Sequence, residues 1–219
     1  MVKKVVKAKS WDVDSIKTPD EAAQYLAHKF PEIRKIYDKY GPCELSWRKD
    51  RSTHFAALVE TICYQQLAGK AAATIHGRVL SVLNKATPEN MLLAKDEDLR
   101  GAGLSGNKLL SMRSLTEHVI ESKIDLKNAW RHDDESVIEQ LVQIRGIGRW
   151  SAQMFLIDRL KRLDVWPAGD YGVRAGAKHL FKLKEIPGEK AAINIADKYK
   201  PFRSVIAWYC WRLADDKEL

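Results

Sequence analysis

Apolar residues recur in this chain with the period of an α-helix almost wherever they cluster, and no other feature restricts the fold as much. Phe55, Leu58, Val59, Ile62 and Cys63 stand at i, i+3, i+4, i+7 and i+8, a spacing that puts side chains on one face of a helix. Ala152, Phe155, Leu156, Leu160 and Leu163 repeat the pattern, as do Val205, Trp208, Tyr209 and Arg212 behind the start signal Pro201. No strand-type alternation of useful length interrupts them, so the chain is expected to be all-α. Thr18-Pro19-Asp20 opens a helix over 19–29 that Phe30-Pro31 ends, Gly41-Pro42 breaks the chain before the segment with Trp47, and Thr87-Pro88 opens another helix. Gly101 to Gly106 reads as a turn and Ile186-Pro187-Gly188 as a loop.

Several classes are excluded early. The 219 residues, 45% hydrophobic, suffice for one large core or two packed halves, yet no run approaches the roughly 20 apolar residues of a membrane span. The start Met1-Val2-Lys3-Lys4-Val5-Val6-Lys7 lacks the apolar stretch of a signal peptide. A soluble protein made in the cytosol is expected, with residues 1–8 as a short basic tail. Cys43, Cys63 and Cys210 lie far apart, which argues against a zinc ribbon and rules out a four-cysteine iron–sulfur cluster. Gly101-x-Gly103-x-x-Gly106 has dinucleotide-binding spacing, but a charged helical stretch precedes it where that motif needs a buried strand. It is read as a helix end followed by a helix start. Lys plus Arg exceed Asp plus Glu by 37 − 29 = 8, a surplus that suits a polyanion such as nucleic acid and equally an ordinary basic enzyme.

The most informative stretch is Leu141-Val142-Gln143-Ile144-Arg145-Gly146-Ile147-Gly148-Arg149-Trp150-Ser151-Ala152. An amphipathic segment, Glu135 to Ile144, precedes it and an apolar helix beginning near Ser151 follows, so a tight Gly-Ile-Gly turn joins two helices. Glycine lets another backbone come close, and the second helix offers its first N–H groups and positive dipole end to an anion. Gly146, Gly148, Arg149 and Ser151 are therefore candidate phosphate-binding residues, against the plainer alternative of a glycine-capped αα-hairpin. This stretch resembles the hairpin of the helix-hairpin-helix (HhH-GPD) DNA glycosylase superfamily, DNA-3-methyladenine glycosylase II type. The resemblance runs over roughly residues 18–213. It implies two helical subdomains with the active cleft between them: a central one over 53–163, containing the hairpin at 135–160, and a second made of 1–52 together with 164–219. It also implies that the carbonyls of Val142, Ile144 and Ile147 hold a monovalent Na+ or K+ at the hairpin, with no cofactor required for the reaction. Arg145 stands where many relatives have proline.

Twenty-two residues beyond Gly148, Val165-Trp166-Pro167-Ala168-Gly169-Asp170 resembles the family's Pro-rich loop with its essential aspartate. Asp170 also sits where a helix over Tyr171 to Phe181 needs an N-cap, and a capping carboxylate is kept ionised and fixed in orientation. Breaking a glycosidic bond builds positive charge on the sugar, which a nearby carboxylate stabilises while accepting a proton from the attacking water. Asp170 is the catalytic candidate, and Asp164 the nearest rival. Lysine-using relatives carry a nucleophilic amine where this chain has Trp150, so the resemblance implies base removal without strand cleavage.

Alkylated purines are cationic, and an electron-rich aromatic wall attracts them. Trp150 and Trp166 are suitable walls, with Met154 one turn beyond Trp150; the resemblance puts Trp150 and Met154 at pocket positions, and Tyr64 is grouped with them. Core packing is the alternative for each. Thr61 to Ala72 resembles the segment whose side chain plugs the hole left by a flipped base; Gln66 matches that wedge, with Leu67 as the other candidate. Lys70 and Lys108 are candidate phosphate contacts or solvated surface charges. Lys200 to Trp211 resembles the family's terminal helix, holding the aspartate loop in place, with Trp208 or Trp211 beside the pocket or in the core.

The function so implied is a monofunctional DNA glycosylase acting as a monomer on alkylated purines in double-stranded DNA. Its place would be the cytoplasm and nucleoid of a bacterium or archaeon, or the nucleus of a eukaryote. The competing readings are a non-catalytic or weakly catalytic damaged-DNA recognition protein of the same fold, and an unrelated helical protein whose glycines are only caps.

Overall fold

The computed structural model describes residues 11–45 and 52–216; the basic start over 1–8 and Trp47 lie outside them. Among the described residues there is no strand, and twelve α-helices follow one another. They are α1 (Pro19–Lys29), α2 (Pro31–Tyr40), α3 (His54–Tyr64), α4 (Gly69–Leu83), α5 (Pro88–Leu93), α6 (Asp96–Gly101), α7 (Gly106–Ile120), α8 (Asp134–Leu141), α9 (Arg149–Asp158), α10 (Tyr171–Leu180), α11 (Glu189–Ala196) and α12 (Arg203–Asp215). None is long and apolar enough to cross a membrane. The chain divides into two compact units, Ser46–Val165 and Met1–Leu45 with Trp166–Leu219.

In the unit built from both chain ends, α1 begins with a capping box. Thr18 Oγ1 accepts from the Glu21 amide while Glu21 accepts from the Thr18 amide, and Pro19 occupies the first helical position, where its missing N–H costs nothing. Pro31 plays the same part in α2, so the proline that ends one helix starts the next. The α10–α12 contact dominates the packing. At Gly176 a Cβ would lie 1.9 Å from the Cys210 carbonyl oxygen, so only glycine allows the two helices to approach this closely. The core's two largest fully buried side chains are tyrosines whose hydroxyls are satisfied: Tyr209 donates to the Gly41 carbonyl at 2.9 Å and Tyr199 to Glu32 at 2.8 Å. Such bonds remove the 1–3 kcal/mol or so that a buried unpaired hydroxyl would cost.

In the other unit, Phe55, Leu58, Val59, Ile62 and Cys63 of α3 are all buried, as their spacing predicts. The Gly101–Gly106 stretch is the end of α6 and the start of α7. Gly103 takes φ +103° and Ser105 caps α7 through the Lys108 amide. Two helix boundaries depart from the periodicity. The apolar face of α8 continues to Ile144, which is 1% exposed, but the helix stops at Leu141 because the amides of Gln143 and Ile144 bond three residues back instead of four. Helix α9 starts at Arg149, two residues earlier than expected, and stops at Asp158. There the amides of Leu160 and Arg162 turn back to Phe155 and Leu156 as Lys161 takes φ +58°, a left-handed helix ending. Leu160 and Leu163 thus pack from a loop, half-buried.

All three cysteines are buried free thiols. Burial pushes Cys43 and Cys63 up to about 12 and Cys210 further still.

Candidate active site and nucleic-acid interface

The segment 142–148 between α8 and α9 is held from behind by α7. Gly146 takes φ +78°, a conformation that favours glycine, and a Cβ there would lie 2.3 Å from Ser111 Oγ, so any side chain would also have to displace that hydroxyl. The Arg145 amide donates to Ser114 Oγ at 3.1 Å. Gly148 is different, because a Cβ there would meet nothing within 4 Å and it caps α9 without a side chain. An uncapped helix start beside open space is what an anion needs. Ser151, in the first turn of α9, is 5% exposed.

Arg149 is already engaged. Its guanidinium makes a two-point ion pair with Glu135 of α8 at 2.6 and 2.7 Å, and this partner holds the Glu135 carboxyl below the usual range. Lys108, expected on phosphate, turns inward and donates to the Cys63 carbonyl at 2.7 Å, in the last turn of α3. Burial lowers its pKa. Lys70 is exposed in the first turn of α4, another helix without a side-chain cap. A cation gains nothing from a positive helix end, so Lys70 does not stabilise α4, and the pair is suited to an anion.

A groove of about 880 Å³ opens in this unit, with Tyr64, Gln66, Trp150, Met154 and Phe155 among its walls. Trp150 is 48% exposed and Tyr64 37%, so both present aromatic surface that the core does not use. Tyr64 is braced edge-on by His76. Gln66 is exposed with φ +56°, and Leu67 is 40% exposed. The residue before them, Gln65, donates from its side chain to the Gly146 carbonyl at 2.9 Å.

In the unit of the chain ends, Asp170 is the N-cap of α10. Its Oδ1 accepts from the Val173 amide at 2.8 Å and from the Trp211 indole N–H at 3.0 Å. The Asp170 amide in turn donates to the Pro167 carbonyl at 2.9 Å, so loop, cap and α12 fix the carboxylate together. Capping and a chemical role are compatible, because one carboxylate offers about four acceptor sites. Trp166 is 6% exposed and packs inside this unit; it is not among the walls of the groove. Among the described residues no cluster of His, Cys, Asp and Glu is arranged to hold a metal ion.

The structure brings the sequence candidates Tyr64, Gln66, Trp150 and Met154 together along one groove; the sequence does not single out Gln65, Ser111 or Glu135, nor the bond from Trp211 to Asp170. Gln65 had a signal, an amide in the same turn as the wedge candidates. The others act across 14 to 41 positions in the chain, where no local pattern reaches.

The chain matches the HhH-GPD superfamily base excision DNA repair protein family over residues 59–201. It is 35% identical over 191 residues to DNA-3-methyladenine glycosylase 1 of Schizosaccharomyces pombe, covering 85% of this chain and 82% of that one. It is similar in structure to an S. pombe 3-methyladenine DNA glycosylase in complex with abasic DNA, with TM-score 0.76, 32% identity and coverage of 91% and 98%. A DNA-3-methyladenine glycosidase from Bacillus halodurans aligns with TM-score 0.71 and 34% identity over 84% of this chain and 89% of that one. With its glycine-built hairpin and capped aspartate inside the matched stretch, this chain belongs to the HhH-GPD superfamily of base excision DNA repair proteins.

Proposed function

We propose that the protein is a monofunctional DNA glycosylase that hydrolyses the N-glycosidic bond of alkylated purines, 3-methyladenine and 7-methylguanine among them, and leaves an abasic site. The observation that carries this reading is the setting of Asp170. Two hydrogen bonds to one oxygen, at the N-cap of α10, fix the orientation of the carboxylate. Such a group stabilises the developing oxocarbenium ion and takes a proton from the attacking water. N3- and N7-alkylated purines leave readily because they carry positive charge, so no strong general acid is needed. The names of relatives at 35% and 33% identity support the same activity.

The remaining roles follow from chemistry. Trp150 and Tyr64 attract the cationic base through their ring faces, and Met154 adapts to its outline. Gln66, with Leu67 beside it, fills the vacated stack. Gly146, Gly148 and the α9 amides through Ser151 take a phosphate, with Lys70 at another. An indole at position 150 offers no amine for a Schiff base, so strand cleavage is not expected. A monovalent cation at the hairpin would rest on the carbonyls of Val142, Ile144 and Ile147. Neutral oxygen donors without a carboxylate suit such an ion, and its contribution would be to draw a phosphate toward the turn. The protein works as a monomer wherever the genome lies, in nucleoid or nucleus.

The test is release of free base from methylated duplex DNA by the parent and by Asp170→Asn. Release of 3-methyladenine by the parent, lost in the variant while DNA binding persists, is the expected result. Equal activity in the variant would remove Asp170 from the chemistry. Tight DNA binding by a parent that releases nothing would make the protein a recognition factor.

A further inference from the structure

We infer that Gln65 is a positioning residue that ties the wedge loop to the phosphate-binding turn, so that both meet the duplex as one rigid piece. The inference rests on the glycosylase reading and adds a determinant of base flipping to it. The Gln65 side-chain amide donates to the Gly146 carbonyl, 81 positions away, at 2.9 Å. That bond closes a ring of contacts around the first half of α7. Lys108 holds the end of α3 through the Cys63 carbonyl at 2.7 Å, and α3 leads directly into Gln65. Three and six residues further along α7, Ser111 lies against Gly146 and Ser114 accepts from the Arg145 amide. Helix α7 therefore grips the stem of the wedge loop with one side chain and the hairpin with two others. Gln65 joins the two gripped segments to each other directly.

The wedge needs this support. Gln66 sits at φ +56° without being glycine, a conformation costing about 1–2 kcal/mol that persists only where neighbours enforce it. Its following amide, that of Leu67, closes on the Tyr64 carbonyl at a long 3.4 Å, so the loop's own backbone holds it weakly. A plug that must enter a base stack as a phosphate is gripped cannot drift relative to that phosphate. Misplacement by about 1 Å costs on the order of 100-fold in rate where geometry is this demanding.

The experiment uses the full chain carrying Asp170→Asn, so that flipping is read without base loss, and a duplex with 2-aminopurine beside a stable lesion analogue. Gln65→Ala removes the amide donor; Gln65→Glu keeps the size but replaces the donor with an acceptor. Both are expected to lower the flipped fraction roughly tenfold, with undamaged-duplex affinity, its salt dependence and thermal stability unchanged. With Asp170 restored, both should slow single-turnover base release by the same factor. Unchanged flipping in both variants overturns the inference and leaves the glycosylase reading standing. Loss of duplex affinity or altered salt dependence in Gln65→Glu alone overturns it in favour of a direct DNA contact, and a matching loss of stability in favour of a merely structural role. A parent that flips no lesion overturns the glycosylase reading and this inference with it.

Discussion

Replacing Gly176 by alanine tests whether the α10–α12 contact sets the stability of its unit and the geometry of Asp170. The new Cβ would lie 1.9 Å from the Cys210 carbonyl oxygen, 2.4 Å from its carbon and 2.5 Å from its Cα. All three are backbone atoms of α12, so no side chain can swing aside, and the helices must separate until the contact reaches an ordinary 3.4 Å or more. Overpacking costs about 1–3 kcal/mol, and backbone against backbone belongs at the upper end. Alanine's better helix propensity returns about 1 kcal/mol. A net loss near 2 kcal/mol lowers the melting temperature by about 4–8 °C for a chain of this size. Gly77, exposed in the interior of α4 with nothing within 4 Å of its would-be Cβ, is the control. The same substitution there should stabilise by about 0.5–1 kcal/mol. Far-UV circular dichroism melts of the three proteins read the contrast. Separation of α12 also withdraws the Trp211 indole from Asp170, so base release by the Gly176→Ala protein should fall even at temperatures where it is fully folded. A Gly176→Ala protein as stable and as active as the parent would refute the packing argument.

Two further expectations rest on single contacts. Glu135→Gln frees Arg149 from its two-point partner; since an exposed ion pair is worth at most about 1 kcal/mol, affinity for undamaged duplex should rise by up to about fivefold. One added phosphate contact should steepen the dependence of log K on log salt by about 0.9, and filter binding across a salt series that gives an unchanged slope would count against it. Trp211→Phe keeps the ring packing and removes the N–H donated to Asp170 at 3.0 Å. A lost hydrogen bond to a charged group costs about 1.5–3 kcal/mol, so single-turnover base release should slow roughly 10- to 100-fold while lesion affinity stays put.

Much of the helical framework is written in local spacing. The buried face of α3 and the capping box of α1 are both readable from a few neighbouring residues, because a helix face and a helix cap are made by residues three or four apart. The ends of α8 and α9 are not. At Ile144 burial outlasts the helix, since a tightening turn keeps the same face toward the core, and at Lys161 a left-handed residue ends α9 without a glycine to announce it. The same division runs through the site. Gly146, Gly148 and Asp170 are legible because backbone geometry and capping are local demands. The inward turn of Lys108 and the occupation of Arg149 by Glu135 depend on which helix lies opposite, which tertiary packing alone decides.

The burial of the three cysteines has a chemical consequence. Reagents that alkylate purines also attack thiolates, the softest nucleophiles a protein offers. Burial pushes Cys43 and Cys63 well above an ordinary thiol, so very few molecules carry the thiolate at neutral pH. Cys210 is more strongly protonated and has no exposed surface. The reactive form is thus both rare and screened from solvent, and the folded chain is built to withstand the electrophiles whose products in DNA it is proposed to remove.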